Sequence, residues 1–223
     1  ASPVQGLLLL DNEAALVGKY LFYGHVDNMP ILGNSCEGAT DGHCLRLYDG
    51  PYIVSYYELW TDHEWLAAAA DAGVATSYPL DLVVGGPCYV AHNVLHQGMM
   101  VGYETQFGVS AVQEVVLDSN HIMRRSHFDP SVRIFPGSDD IALRNNVFEH
   151  LEGSQEAIRF EWVAGEAPIG DVWVLHNTFL TANNEGSFIN AASSPAESAG
   201  FTIANNLYTV SYTHLTLPTN REV

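Results

Sequence analysis

The chain has 223 residues, 26 acidic against 8 basic, and a formal net charge of -18 at pH 7. This charge argues against nucleic acid and anionic membrane surfaces as partners, because both are bound through basic patches. Hydrophobic residues make up 47% and charged residues 15% of the sequence, which excludes a disordered chain, and no apolar run is long enough to span a membrane. We therefore expect a folded, monomeric protein with a single domain over residues 1–209.

The residues before 44 show one regular stretch, "KYLFYGHV", whose composition predicts a strand. Cys36 and Cys44 are near enough in sequence to close a short disulfide loop in an oxidising compartment, and buried free thiols would account for them equally well. The segment 62–73, "DHEWLAAAADAG", has the composition of a short helix that ends at Gly73. The first part of the chain thus predicts strands with one helical insert.

A short pattern then repeats five times, as "CYVAHNVL", "VVLDSNHI", "IALRNNVF", "VWVLHNTF" and "FTIANNLY". Apolar residues alternate in each copy, which predicts a strand with one buried face. The copies share an asparagine and lie 26 to 31 residues apart; the asparagines are Asn93, Asn120, Asn146, Asn177 and Asn206. Asparagines at one corner of a solenoid can stack and hydrogen-bond to each other, so we predict a structural role for them, with Tyr57 at the same place one turn earlier.

A second strand precedes several copies of the repeat, as "CLRLY", "SVRIF", "AIRFEW" and "SFINA". Two or more short strands per turn predict an all-β fold, a parallel β-helix. Alternation turns Arg46, Arg133 and Arg159 outward at one equivalent position, with the last two on consecutive turns. Either Glu161 neutralises this positive charge, or the arginines hold the carboxylates or sulfates of an acidic sugar chain.

The turn "IALRNNVF" resembles the "I-x-x-N-N-x-F" turn of right-handed parallel β-helix proteins of the pectate-lyase-like superfamily, and the resemblance covers residues 44–209. It implies a right-handed coil, an extracellular or periplasmic location and a polysaccharide ligand. If the chain is a lyase or epimerase acting on a uronate glycan, the resemblance implies Arg133 as the base and Arg159 as the group that neutralises the carboxylate. Ca²⁺ as a cofactor follows from the resemblance alone. The alternative is a non-catalytic module that binds glycans or serves as a structural spacer.

Four further residues are candidates for contacts with the substrate. Arg46 occupies the shared outward position on an earlier turn, and Glu161 faces the same way as Arg159, which it would neutralise in the structural interpretation. Trp162 and Trp173 are outward aromatic residues that can stack on a sugar ring. A rival interpretation, glycoside hydrolysis, would use Asp41 with Asp139 and Asp140, but these residues are predicted to lie on different sheets.

Charge and histidine patterns elsewhere favour structural interpretations. Asp118 and Arg144 occupy one outward position on adjacent turns, where a cross-strand ion pair explains both. The histidines are spaced in a way that does not converge on a metal ion, so no metal site is predicted from them.

The end of the chain departs from the repeat. Residues 210–219, "VSYTHLTLPT", resemble the one-frame translation of a transposon-adapter end used in sequencing libraries. We therefore expect 210–223 to be a non-native tail on a truncated fragment, with any export signal outside it. A native edge strand is the alternative.

Overall fold

The computed structural model describes residues 4–5, 9–10, 13–15, 22–27, 29–32, 35–39, 45–49, 52–55, 58–61, 80–96, 98–105, 108–124, 130–150, 156–181, 188–190 and 200–210. All regular elements in these residues are β-strands, and they form three sheets of eight strands each and one hairpin.

Sheet 1 contains β1 (Val4–Gln5), β4 (Phe22–Asp27), β7 (Leu45–Asp49), β10 (Leu80–Val84), β13 (Met99–Val101), β18 (Val132–Ile134), β21 (Ile158–Phe160) and β24 (Ile189–Asn190). Sheet 2 contains β2 (Leu9–Leu10), β5 (Met29–Leu32), β8 (Tyr52–Ser55), β11 (Cys88–Ala91), β16 (Gln113–Asp118), β19 (Asp139–Arg144), β22 (Val172–Leu175) and β25 (Phe201–Ala204). Sheet 3 contains β3 (Glu13–Ala15), β6 (Ser35–Ala39), β9 (Glu58–Thr61), β12 (Val94–His96), β17 (His121–Arg124), β20 (Val147–His150), β23 (Thr178–Thr181) and β26 (Leu207–Val210). The hairpin pairs β14 (Tyr103–Thr105) with β15 (Gly108–Ser110).

The chain visits sheets 1, 2 and 3 in turn and then begins the next turn, and strands within each sheet pair in parallel. This arrangement is a parallel β-helix, as the repeat predicts. A right-handed coil fits it, because connections between parallel strands are almost always right-handed. The strand predicted around "KYLFYGHV" is confirmed as β4.

The alternating residues of the repeat form continuous inward rows, and the predicted register is confirmed. One row contains Cys88, Val115, Ile141, Val172 and Phe201, the next contains Val90, Leu117, Leu143, Val174 and Ile203, and the row in sheet 3 contains Leu95, Ile122, Phe148, Phe179 and Tyr208. Most of these side chains are fully buried, and the exposed ones lie on the strands nearest Val210. Phe179 stacks between Phe148 and Tyr208, with ring centroids 4.9 Å and 5.0 Å away. The rows therefore form one core that runs along the coil.

The predicted asparagine ladder is present where sheet 2 bends into sheet 3. Oδ1 of Asn146 accepts hydrogen bonds from the backbone N–H and Nδ2 of Asn120, at 3.0 Å and 2.9 Å. Nδ2 of Asn146 donates to Oδ1 of Asn177 at 3.0 Å and to the carbonyl of Leu117 at 2.9 Å. The same bonds recur from Asn93 to Asn206. Every amide in the interior of the ladder is therefore saturated, as a buried polar group requires.

The residue before each ladder asparagine has a positive φ of 55° to 57°, in the left-handed region; these residues are His92, Ser119, Asn145, His176 and Asn205. Asn and His tolerate this conformation better than most residues do. The sharp bend needs it, which explains the "NN" and "HN" pairs in the sequence.

Several predictions fall outside the described residues: the helical insert at 62–73, Tyr57, Asp41, Cys44, the side chain of Cys36, and residues 211–223. Val210, the first residue of the tail predicted from the adapter resemblance, is the last residue of β26.

Candidate functional site

One outward row of sheet 1 carries the arginines singled out in the sequence. Among the residues with described side chains, this row contains, in order along the sheet, Arg46, Met100, Arg133, Arg159 and Asn190. The prediction that Arg46, Arg133 and Arg159 share one equivalent position is therefore confirmed. Arg133 and Arg159 lie on neighbouring strands, whereas β10 and β13 separate Arg46 from them.

Glu161 lies between the two neighbouring guanidinium groups. Nε of Arg133 is 2.7 Å from Oε1 of Glu161, and Nη1 of Arg159 is 3.9 Å from the same oxygen. The carboxylate expected between two adjacent arginines is thus present. Its tighter contact is with Arg133 of the preceding turn, whereas the sequence suggested Arg159, which precedes it by two residues.

Arg159 has its closest partner in Glu156, a residue that the sequence analysis did not single out. Nε of Arg159 donates to Oε1 of Glu156, and Nδ2 of Asn190 donates to the same oxygen at 2.9 Å. Glu156 is 5% exposed, in the connection just before β21. We call the set Arg133, Arg159, Glu156, Glu161 and Asn190 the arginine cluster.

The ionisation of Glu156 depends on these contacts. Burial raises the pKa of Glu156, but hydrogen bonds from Arg159, its own backbone and Asn190, together with the Arg159 charge, outweigh burial and hold the pKa below its ordinary value. Glu156 is therefore ionised at neutral pH.

Apolar residues border the arginine cluster on one side. The guanidinium carbon of Arg133 lies 5.1 Å from the ring centroid of Phe135, which is 3% exposed. Met100 shares the outward row but is only 5% exposed. Met100 therefore separates Arg46, farther along the row, from the contiguous polar residues that run from Arg133 to Asn190.

Trp162 directly follows Glu161 and is 51% exposed. It belongs to the connection 161–171, which is fixed to the preceding turn by hydrogen bonds from Gly170 N–H to the Ser138 carbonyl at 2.8 Å and from Gly137 N–H to the Pro168 carbonyl at 3.3 Å. The backbone of the connection that carries Trp162 is thus anchored to the preceding turn.

Trp173 lies elsewhere. It is in β22 of sheet 2, where its register neighbours are Ala142 and Thr202, and it is only partly exposed. The structure therefore brings Arg133, Arg159, Glu161 and Trp162 together, but it does not add Trp173 to them.

The connections on either side of sheet 1 vary in length. From sheet 1 to sheet 2 they include residues 135–138 after β18, residues 161–171 after β21, and the hairpin of β14 and β15 after β13. From sheet 3 to sheet 1 the shortest connection is the two residues 97–98, and the longest is residues 62–79. The bend from sheet 2 to sheet 3 is always two residues long between β8 and β26. Sheet 1 is thus the face framed by variable segments, where binding residues are most often found.

Asp139 of the glycoside hydrolase alternative has structural contacts. Oδ1 of Asp139 accepts hydrogen bonds from the backbone N–H groups of Asp140 at 2.9 Å and Asp171 at 2.7 Å. These contacts fix the start of β19 against the next turn. They account for Asp139 without any chemistry.

The predicted ion pair between Asp118 and Arg144 is confirmed, with Nη2 of Arg144 2.9 Å from Oδ2 of Asp118. Burial raises the pKa of Asp118, while hydrogen bonds from Asn145, Ser119 and Arg144 and the charge of Arg144 lower it further than burial raises it. The pair lies at the outer end of sheet 2 and explains both residues as structural.

Within the described part of the chain, no group of three or more His, Cys, Asp or Glu side chains is arranged to hold a metal ion. No helix there is long and apolar enough to cross a membrane. On sheet 3, His121 Nε2 lies 2.8 Å from Glu149 Oε2.

Comparison with known proteins adds no family to this description. No protein-family model matches the chain, and no curated protein sequence is significantly similar to it.

Proposed function

We propose that this chain is a carbohydrate-associated β-helix that binds an extended glycan along the outward face of sheet 1. The observation that supports this proposal is the arginine cluster, with the exposed Trp162 next to Glu161 in the chain. We further propose that it acts outside the cytoplasm, where such glycans are found.

The chemistry of the cluster suits sugars. Guanidinium and amide groups donate hydrogen bonds and carboxylates accept them, and all of them are held in defined orientations by their mutual contacts. A sugar hydroxyl both donates and accepts. An exposed indole offers a flat apolar surface to the C–H face of a sugar ring.

A direct test compares two tryptophans in one binding experiment. Wild type, Trp162→Ala and Trp173→Ala are applied to an immobilised panel of neutral and uronate oligosaccharides. We expect Trp162→Ala to lose binding at least about tenfold, the scale of one lost aromatic contact. Trp173→Ala should bind as wild type does, because Trp173 lies on sheet 2. Equal losses in both variants, or binding to no glycan by the wild type, would rule out this site.

The second candidate function is a lyase or epimerase that acts on a uronate glycan. It is favoured by the position of Arg133 and Arg159 on adjacent strands, about 4.8 Å apart along the sheet. Arg133 would remove the proton next to the uronate carboxylate, and Arg159 would neutralise that carboxylate.

The catalytic version makes a distinct prediction. The carboxylate of Glu161 stabilises the charged form of Arg133, so substrate must displace Glu161 before Arg133 can act as a base. A lyase would generate unsaturated products that absorb ultraviolet light, and Arg133→Ala would abolish them. Glycan binding by the wild type without such products identifies the non-catalytic module.

A further inference from the structure

We infer that the glycan bound by the arginine cluster is uncharged, an inference that rests on the proposed function and specifies its ligand. The sequence alone suggested an acidic glycan, because three of the few basic residues share one position. The partners of those arginines change this expectation.

The formal charges of the cluster cancel. Arg133 and Arg159 contribute +2, and Glu156 and Glu161 contribute -2, so the sum is 0. Oε1 of Glu161 contacts both guanidiniums, and Glu156 contacts Arg159. The cluster therefore has donors and acceptors but no excess positive charge for an anionic ligand.

The two carboxylates are also poorly placed for replacement by a ligand. Glu156 is 5% exposed, and the side chain of Glu161 is 17% exposed. A uronate that approached Arg133 or Arg159 would lie close to both carboxylates in a partly desolvated environment, where repulsion between like charges is strongest. A uronate would thus bind only against this repulsion or after an existing ion pair has been broken.

The net charge of the whole chain also disfavours an anionic ligand. Its formal net charge is -18, so a polyanion is repelled during the approach as well as at the site. A neutral glycan has no such cost. Its hydroxyls can bond to carboxylates and guanidiniums alike, and its ring face can stack on Trp162.

The test uses matched pairs of ligands that differ at one carbon. Galactose hexasaccharide and galacturonate hexasaccharide have the same ring, but the second carries a carboxylate where the first carries a hydroxymethyl group; glucose and mannose hexasaccharides and a mannuronate hexasaccharide extend the panel. Calorimetric titration of the wild-type protein is carried out at about 20 mM and about 150 mM NaCl, since exposed charges are screened over this range. We expect at least one neutral hexasaccharide to bind about tenfold more tightly than its uronate counterpart, with little dependence on salt.

A conservative variant of Glu161 tests the cause of the preference. Glu161→Gln retains the shape of the side chain but gives the cluster a formal charge of +1, so the uronate should gain at least about fivefold in affinity relative to the neutral ligand. Glu114→Gln removes one exposed carboxylate from sheet 2 and is the matched control for net charge. Circular dichroism of both variants verifies that they fold.

The outcomes separate the inference from the function beneath it. Tighter, salt-sensitive binding of a uronate by the wild type would overturn the inference that the ligand is uncharged. It would leave the proposal of glycan binding at sheet 1 intact. Binding of neither series would overturn both. An unchanged preference in Glu161→Gln would also contradict the inference, because the neutralised arginines are its physical cause.

Discussion

The two-residue bend from sheet 2 to sheet 3 and the outward face of sheet 1 are built in opposite ways. At the bend the same pair of positions recurs in each turn from His92 to Asn206, with the same φ and the same amide bonds. At sheet 1 the outward residue changes from Met100 to Arg133 to Asn190, and the flanking connections change in length. Identical neighbours allow an amide ladder to propagate, whereas a ligand site needs residues that differ from turn to turn. The bend stabilises the coil, whereas sheet 1 is the face on which we propose the ligand site.

The largest expected effect comes from breaking the ladder in its middle. Asn146→Ala removes four hydrogen bonds and takes a buried partner away from Asn120 and Leu117, while Oδ1 of Asn177 keeps only the bond from the Asn146 backbone N–H. We expect the free energy of unfolding to fall by about 3 kcal/mol or more. Urea denaturation followed by circular dichroism measures it. Asn206→Ala is the matched control at the more exposed end of the ladder, where about 1 kcal/mol is expected; equal losses at both positions would contradict the cooperative ladder.

A smaller loss of stability is expected when the connection that carries Trp162 is disturbed. A Cβ on Gly170 would overlap the Asp139 carboxylate, which is held by two backbone N–H groups. Gly170→Ala should therefore destabilise the protein by about 2 kcal/mol and weaken glycan binding as well. In Gly165→Ala the added Cβ meets no atom within 4 Å, and only the backbone at φ +89° is strained, so about 1 kcal/mol is expected. If the two variants were equally stable, the contact with Asp139 would not be important.

The arginine cluster should respond to acid. Because the pKa of Glu156 is lowered in the folded protein, its contribution to stability is present above the ordinary glutamate pKa and is lost as the pH falls through the folded value. We expect Glu156→Gln to flatten the pH dependence of the urea midpoint between about pH 5 and pH 3. Glu114→Gln is the control on the exposed surface. A pH profile for Glu156→Gln that is parallel to the wild type would show that the cluster is not intact in solution.

The smallest effect is expected at the surface pair on sheet 2. Arg144 has 48% of its side chain exposed, so Arg144→Ala should change stability by at most about 0.5 kcal/mol. Glycan binding should be unchanged, because the pair lies away from sheet 1. A loss of binding in this variant would place the ligand on sheet 2 instead.

The sequence is sufficient to predict the coil because its signals recur. Alternation before Asn120 and Asn146 defines the inward rows, and a repeated asparagine marks the bend. The strand Met99–Val101 gives no such signal, since all three of its residues are buried and no alternation remains. The hairpin of β14 and β15 lies in the connection from β13 to β16 and has no counterpart in the repeat.

The arginine cluster is only half predictable. The shared outward position of Arg133 and Arg159 follows from alternation alone. The partners of the two arginines cannot be predicted in this way. Which carboxylate each guanidinium contacts depends on side-chain conformation and on a connection whose sequence does not repeat. Glu156 lies three residues before Arg159 in such a connection, and Glu161 reaches back across a turn to Arg133.

The central claim, that sheet 1 binds the ligand while the asparagine bend only supports the coil, is tested most directly by amide hydrogen exchange. The wild-type protein is compared with and without a saturating concentration of the tightest-binding hexasaccharide of the panel. We predict slower exchange in peptides that contain 132–135 and 158–162, and no change in peptides that contain 118–121 and 144–147. Protection at the bend or around Trp173, with none at sheet 1, would contradict the account.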